Sequence, residues 1–172
     1  ALPQARYLAA LRADLEASLP FVWGRPVVSV FIGGGTPSLF SPEGIAQLLS
    51  DVRCLLPLVP GCEITLEANP GTFERERFRA FAQAGVTRLS VGVQSFDDAL
   101  AFEPPHLSVY HLTIEPNTAS ARQPPALPDD DLASEMLDVI VERTAAAGLQ
   151  RYEVSAFART GLACQHNLNY WH

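Results

Sequence analysis

Short apolar strand patterns alternate with amphipathic helix patterns along this chain, and each strand–helix unit takes about 20 to 30 residues. Such spacing is typical of a parallel β-sheet, in which a helix carries the chain back between neighbouring strands. The predicted strands cover residues 27–32, 63–66, 86–93, 107–114 and 152–155, and the predicted helices cover 2–19, 42–56, 73–84 and 129–147. The pattern predicts an α/β fold with a parallel sheet, either open or closed into a barrel.

Composition narrows the class of protein. The length predicts one domain, 1–172, and the 48% of hydrophobic residues can form its core. The net charge of -7 has the wrong sign for binding a phosphate backbone, so nucleic acid is not an expected partner. All 12 basic residues are arginines, which excludes mechanisms that need a P-loop lysine or a Schiff-base lysine.

The cysteines point to a reducing compartment. The chain has three cysteines, Cys54, Cys62 and Cys164, and no two of them are spaced as a CxxC pair. Neither a disulfide framework nor a zinc ribbon is therefore expected. No apolar run approaches the roughly 20 residues of a membrane-spanning helix, and no signal segment opens the chain. We expect a cytoplasmic protein in which the thiols of Cys54 and Cys164 are buried and unreactive. The absence of a membrane-spanning pattern does not exclude transient contact with a membrane.

One connection is too short for the alternating pattern. Only about a dozen residues separate the third predicted strand from the fourth, and they include two prolines, so no regular helix is expected there. Either these strands are not neighbours in the sheet, or a segment is missing near Leu100–Ala101; we expect the missing segment. The chain also begins without methionine and stops at His172 just after an aromatic pair, so we expect an incomplete chain.

Polar residues follow every predicted strand. In parallel α/β folds the loops after the strands gather on one side of the sheet and carry binding and catalysis. We therefore expect a shared site formed by residues 33–36, 67–69, 94–95, 115–117 and 153–155.

Three consecutive glycines, Gly33, Gly34 and Gly35, form the first of these loops. Glycines leave backbone amides uncovered, and the hydroxyl of Thr36 follows them, so the loop suits a carboxylate or a phosphate. The spacing is not GxGxxG, which argues against a dinucleotide. The alternative is structural: a tight turn whose backbone needs positive φ.

Glu67 and Gln94 end the second and third predicted strands. A carboxylate at Glu67 suits the ammonium or hydroxyl groups of a ligand, and the alternative is an ion pair with an arginine such as Arg88. The Gln94 amide offers a donor and an acceptor to a polar ligand, and the alternative is that it satisfies backbone amides of its own loop.

His166, Asn167 and Tyr170 form a compact group near the end of the chain. An imidazole flanked by flat rings is a suitable axial ligand for haem iron, whereas the alternative for a single histidine is a hydrogen-bonded structural role. His106 and His111, five residues apart around a strand, face opposite sides of it and are expected to be structural.

Six segments carry a closer resemblance. They are residues 30–39 (VFIGGGTPSL), 63–70 (EITLEANP), 85–96 (GVTRLSVGVQSF), 112–118 (LTIEPNT), 152–157 (YEVSAF) and 166–171 (HNLNYW). In order and spacing they resemble the oxygen-independent coproporphyrinogen oxidase-like radical SAM family, over nearly the whole chain. The QSF at the end of the third segment and the final HNLNYW are most similar to the haem chaperone branch of that family, the HemW type.

This resemblance implies a fold and a set of cofactors. The fold would be a partial (β/α) radical SAM barrel that lacks its first strand and a middle segment, with 156–172 as the start of the family's C-terminal region. The strand ends would hold S-adenosylmethionine and a 4Fe–4S cluster, and the haem chaperone branch adds haem. The implied partners are haem or porphyrin and a haem-accepting apoprotein.

The resemblance also assigns residues. Gly34, Gly35 and Thr36 would receive the methionine part of S-adenosylmethionine, and the side chains of Glu67 and Gln94 would fix its polar groups. In the final motif, the histidine at position 166 would contact haem, with the tyrosine at position 170 nearby.

The cluster motif of the family is absent here. CxxxCxxC does not occur, and none of the three cysteines replaces it. Since that motif holds the cluster on which reductive cleavage of S-adenosylmethionine depends, we expect this chain alone to be catalytically incompetent, and we assign no catalytic residue. Two alternatives stay open: an oxygen-independent coproporphyrinogen III dehydrogenase of porphyrin biosynthesis, and a non-functional fragment.

Overall fold

A computed structural model describes residues 3–68, 75–93, 95–110 and 113–171. They form two compact units, one reaching to Val93 and the other following it to Trp171. The predicted α/β class and parallel sheet are confirmed. Within the described ranges, no helix is both long enough and apolar enough to cross a membrane.

The first unit consists of a three-stranded parallel sheet and three helices. In chain order its elements are α1 (Gln4–Val22), β1 (Val27–Ile32), a 3₁₀ turn (Pro37–Leu39), α2 (Pro42–Leu55), β2 (Leu58–Ala68), α3 (Arg75–Ala84) and β3 (Arg88–Val91). β2 lies in the middle, with β1 and β3 on either side.

Local signals explain where the helices begin and end. The Ser41 hydroxyl accepts a hydrogen bond from the Gly44 backbone at 3.1 Å, and Pro42 occupies the first position of α2. α1 continues past Pro20, near which the predicted helix ended, because a proline in the last turn removes one hydrogen bond and leaves the earlier turns intact. The cap predicted for α3, Thr72, lies outside the described residues.

β2 is longer than predicted because a bulge extends it towards its amino end. Its pairing with β1 is regular from Ile32 back to Ser29 and then shifts, so that Val27 pairs with Leu58. Gly61 lies within the shifted stretch with a φ of 78°, in the left-handed region that glycine adopts without strain.

Thr87 sets the register of β3, which is shorter than predicted. The Thr87 hydroxyl accepts a hydrogen bond from the Ile64 backbone nitrogen at 2.7 Å, and the Thr87 backbone nitrogen donates to the Ile64 carbonyl at 2.9 Å. One residue therefore satisfies both backbone groups of Ile64 just before β3 begins at Arg88.

The parallel sheet has an apolar face and a polar face. Ile64 and Leu66 of β2 belong to a buried cluster whose other members are Ile45, Leu49, Phe81 and Val86. Burying each of these large side chains stabilises the fold by about 1.5–3 kcal/mol. Because successive strand residues point to opposite faces, Glu63, Thr65 and Glu67 lie on the other face.

The second unit contains an antiparallel sheet. Its elements are α4 (Phe96–Ala101), β4 (His106–Ser108), α5 (Ala119–Arg122), α6 (Asp130–Ala146), β5 (Gln150–Glu153), β6 (Ala156–Ala158), α7 (Gln165–Leu168) and a 3₁₀ turn (Asn169–Trp171). β6 lies between β4 and β5 and is antiparallel to both. The two predicted later strands, β4 and β5, run in the same direction but are not neighbours, because the unpredicted strand β6 lies between them. The two residues between β5 and β6 can join only antiparallel neighbours.

The short connection between β3 and β4 contains a helix, contrary to expectation. α4 follows Ser95, whose hydroxyl accepts from the Asp98 backbone at 3.2 Å, and it continues to Ala101. An ion pair between Asp97, in the first turn of α4, and Arg143, on α6, connects the two helices. β3 and β4 belong to different sheets, which was one of the two explanations for the short connection.

Candidate functional site

An open depression of about 240 Å³ lies at the carboxyl ends of β1, β2 and β3. Its lining combines glycine backbone with two hydroxyl groups and one carboxylate; the lining residues are Gly35, Thr36, Pro37, Glu67, Ala68, Ser90 and Gly92. The strand register explains why they meet, since Ile32 pairs with Leu66 and Glu67 pairs with Ser90. The ends of the first three strands therefore converge, as the sequence predicts.

The glycine loop after β1 needs its glycines for two different reasons. Gly34 and Gly35 have φ values of 82° and 58°, which side-chain-bearing residues rarely adopt. At Gly33, a Cβ atom would collide with the ring of Phe31 and lie 3.1 Å from the carboxylate of Glu67. The structural alternative, a turn with positive φ, is therefore observed, and it leaves an exposed loop of backbone amides beside the depression.

Glu67 holds this loop in place. Its carboxylate accepts a hydrogen bond from the Gly34 backbone nitrogen at 3.1 Å. The alternative of an ion pair with Arg88 is wrong, because Arg88 pairs with Glu63 at 2.9 Å. A carboxylate has two oxygens and accepts several hydrogen bonds, so Glu67 can hold Gly34 and still bind a donor group of a ligand.

Arg77 and Ser90 contribute to this region although the sequence analysis does not identify them. Arg77, on α3, donates from Nη2 to the carbonyl oxygens of Leu39 and Phe40 at 3.0 and 2.8 Å, and so fixes the turn that follows the glycine loop. Side chains alternate between the two faces of a strand, and this alternation along the third predicted strand could have placed Ser90 on the same face of the sheet as Glu67. The contact made by Arg77 joins distant segments, so no local signal predicts it.

Gln94, the candidate at the end of the third strand, lies outside the described residues. The same holds for Asn69 after β2 and for His111.

The second unit carries the other candidate site, here called the His166 segment and defined as residues 164–171. His166 is half-buried on α7, while Tyr170, in the following turn, is 82% exposed. Nδ1 of His166 lies 2.9 Å from Sγ of the buried Cys164. The structure thus brings together a thiol and an imidazole that are two residues apart in the sequence.

The hydroxyl of Tyr152, on β5, anchors the His166 segment. It accepts hydrogen bonds from the Cys164 backbone nitrogen at 3.2 Å and from Asn167 Nδ2 at 2.9 Å, and it lies 2.7 Å from Nε2 of His106. The direction of the hydrogen bond between the hydroxyl and Nε2 depends on the His106 tautomer. His106 has the structural role that was expected, and Tyr152 joins it to the segment.

The three cysteines form no disulfide with one another and lie in different surroundings. Cys54 is exposed, contrary to expectation, because five residues separate it from the buried Leu49 and place it off the core-facing stripe of α2. Cys62 and Cys164 are buried. Burial raises the pKa of the Cys62 thiol, which keeps it protonated and unreactive near neutral pH.

A 4Fe–4S cluster does not fit these cysteines. A cluster of this kind is bound by several thiolates that converge on one point. Here one thiol is exposed on a helix, one is buried in β2 and one lies against His166, and the sequence contains no CxxxCxxC. The residues of this chain therefore do not supply the ligands of a cluster.

Comparisons with known proteins show which family and which relatives this chain is similar to. The profile of the radical SAM superfamily matches residues 14–117. Heme chaperone HemW of Escherichia coli is 39% identical over 222 positions, and heme chaperone HemW of Haemophilus influenzae is 38% identical over 226 positions. Each of these alignments takes in 99% of this chain and 59% of the relative. Radical S-adenosyl methionine domain-containing protein 1, mitochondrial, of Mus musculus is 37% identical over 202 positions, with 84% of this chain and 46% of that protein covered.

A solved structure shares the fold. Coproporphyrinogen III oxidase (HemN) from Escherichia coli, a radical SAM enzyme, matches with a TM-score of 0.75 at 20% identity, covering 94% of this chain and 50% of that one. At this identity the likeness shows the fold alone, and the partial radical SAM fold predicted from the sequence is confirmed.

The chain spans about three-fifths of the length of its curated relatives. The alignment with the Escherichia coli relative extends over 222 positions, of which this chain fills at most 172, so at least 50 positions of the alignment hold no residue of this chain. Such positions lie between aligned residues, in agreement with the expected missing segment. Its location at Leu100–Ala101 stays a prediction.

Proposed function

The chain belongs to the radical SAM superfamily, and from this premise we propose that it is a haem-binding protein of the heme chaperone type, with S-adenosylmethionine as its second ligand. The observation that carries the proposal is the His166 segment, in which an imidazole is held against Cys164 while Tyr152 fixes the surrounding backbone. The relatives named heme chaperone support it, since their alignments take in nearly this whole chain.

The His166 segment has the chemistry that haem needs. Haem iron takes an imidazole nitrogen as an axial ligand, and His166 is half-buried and oriented by a neighbour. The exposed ring of Tyr170 offers a flat apolar surface on which a porphyrin can lie. We propose His166 as the haem contact, Tyr170 as its neighbour, and a haem-accepting apoprotein as the partner.

The strand-end depression has the chemistry that an amino acid needs. Its volume of about 240 Å³ is below the roughly 300–1,000 Å³ typical of small-molecule pockets, so it suits the methionine part of S-adenosylmethionine better than the whole molecule. Added Cβ atoms at Gly34 and Gly35 would meet no atom within 4 Å, so there is open space beside the loop. We propose that the loop of Gly34, Gly35 and Thr36 receives the methionine part, with the Gly35 amide and the Thr36 hydroxyl binding its carboxylate while the Gly34 amide stays on Glu67. We propose that Glu67 and Gln94 bind the ammonium group.

The proposal does not include catalysis by this chain. In the superfamily, S-adenosylmethionine bound to a 4Fe–4S cluster supplies radical chemistry, and these 172 residues do not provide the cluster ligands. The alternative of a coproporphyrinogen dehydrogenase has support from a shared fold alone. Three cysteines that form no disulfide suit a reducing compartment, and we propose the cytoplasm.

A haem titration tests the proposal. The wild-type chain is expected to bind haem saturably, with a shift of the Soret band, and His166→Ala is expected to bind at least about tenfold more weakly because the axial ligand is lost. His111→Ala removes an imidazole from another part of the sequence and is expected to bind like the wild type. Unsaturable binding by the wild-type chain, or equal affinity in His166→Ala, would overturn the proposal.

A further inference from the structure

We propose that Cys164 is a positioning residue for His166, and that its sulfur accepts a hydrogen bond from Nδ1–H so that Nε2 is the nitrogen that binds iron. This inference rests on the proposed function and extends it to a residue that does not itself contact haem.

The placement of Cys164 supports this role. It lies immediately before α7, so its side chain and that of His166 are two positions apart at the beginning of one helix. The Cys164 backbone nitrogen donates to Tyr152 at 3.2 Å, and the residue is only 2% exposed, so its sulfur is fixed in space. The sulfur lies 2.9 Å from Nδ1, within hydrogen-bonding distance of that nitrogen.

Imidazole chemistry explains the consequence. A neutral ring carries one proton, and only the unprotonated nitrogen has a lone pair to give to a metal. Which nitrogen that is depends on the hydrogen bond made by the other one. A sulfur that accepts from Nδ1–H therefore places the lone pair of the ring on Nε2, whereas a thiol that donates to Nδ1 would place the proton on Nε2.

The ring tautomer can be measured without haem. ¹⁵N chemical shifts of the histidine rings in the unliganded chain, at a pH where the rings are neutral, report which nitrogen of His166 carries the proton; His166→Gln assigns its signals. We expect Nδ1–H in the wild type, a mixture of tautomers in Cys164→Ala, and Nδ1–H again in Cys164→Ser, since the serine hydroxyl also accepts. Cys62→Ala removes the other buried thiol, which lies on β2, and is expected to change nothing.

Haem affinity provides the second readout. Loss of an outer partner of a metal-bound histidine typically weakens metal binding by about 10- to 100-fold, so Cys164→Ala is expected to fall in that range, with partial recovery in Cys164→Ser. A wild-type His166 protonated at Nε2, or equal haem affinity in Cys164→Ala and Cys62→Ala, would overturn the inference. If the wild-type chain fails to bind haem, the proposed function fails, while the tautomer measurement still decides the role of Cys164.

Discussion

The two candidate sites are built by different means. The strand-end depression of the first unit is formed largely by backbone, because Gly34 and Gly35 adopt positive φ and the Gly34 amide is held by Glu67. The His166 segment of the second unit is held by side chains, with Tyr152 receiving two donors at a single oxygen.

This difference predicts opposite sensitivities. A site made of backbone tolerates the loss of side-chain atoms but not the addition of a Cβ atom at a positive φ. A site that depends on one hydroxyl tolerates substitutions that restrict the backbone elsewhere, but it does not tolerate the loss of that oxygen. The groups that donate hydrogen bonds to the oxygen are then left unsatisfied. Each of the following variants tests one side of this comparison.

The largest effect is expected from Tyr152→Phe. The change leaves the Cys164 amide, the Asn167 amide group and His106 without their shared partner, and each unsatisfied buried group costs about 1–3 kcal/mol. We expect a lower free energy of unfolding, measured with urea, and weaker haem binding. Tyr110→Phe removes the same atom from a ring that is 74% exposed and is the matched control. Equal losses in the two variants would show that the segment does not depend on this hydroxyl.

A smaller effect is expected from Gly34→Ala. A Cβ atom at a φ of 82° costs about 1–2 kcal/mol, and the altered loop should bind S-adenosylmethionine more weakly in calorimetry. Gly61→Ala is the control, because Gly61 has a φ of 78° and equally open surroundings but lies away from the depression. The two variants should lose similar stability, and only Gly34→Ala should lose affinity. Equal affinities would contradict a ligand site at the glycine loop.

The smallest effect concerns pH and the Cys62 thiol. Burial raises the pKa of Cys62, so the folded chain holds this proton more tightly than the unfolded chain does. Its contribution to stability is therefore complete below the ordinary thiol pKa of about 8.5 and is lost as pH rises above it. Urea unfolding at about pH 7.5 and about pH 9.5 should show a steeper decline for the wild type than for Cys62→Ala. Equal declines would mean that Cys62 does not contribute to the pH dependence.

Local patterns were sufficient for much of the first unit. β1 was predicted with the observed bounds and α2 was predicted closely, because the cap and the apolar period of α2 lie within the segment itself. In the second unit the same holds for α6. The strand-end candidates Gly35, Thr36 and Glu67 also meet in one depression, since parallel strands bring their carboxyl ends together.

The second unit was harder to predict for a physical reason. The direction of β6 follows from the turn at Val154 and Ser155, which lacks the Asn-Gly or Gly-X signature of a two-residue hairpin. The role of Tyr152 depends on contacts with residues 12 and 15 positions away, which residue spacing does not reveal. The two-residue spacing of Cys164 and His166 is visible in the sequence, but the distance between their side chains is not.

The hydrogen bonds between Thr87 and Ile64 have a consequence for how the first site is assembled. A slip of β3 by one residue would turn Ser90 away from Glu67 and send an apolar side chain to the polar face. Thr87 lies three residues before Ser90, about 10 Å along the strand at 3.3 Å per residue. The position of Ser90 in the depression therefore depends on hydrogen bonds about 10 Å away, because the register fixed at Thr87 also holds at the other end of β3.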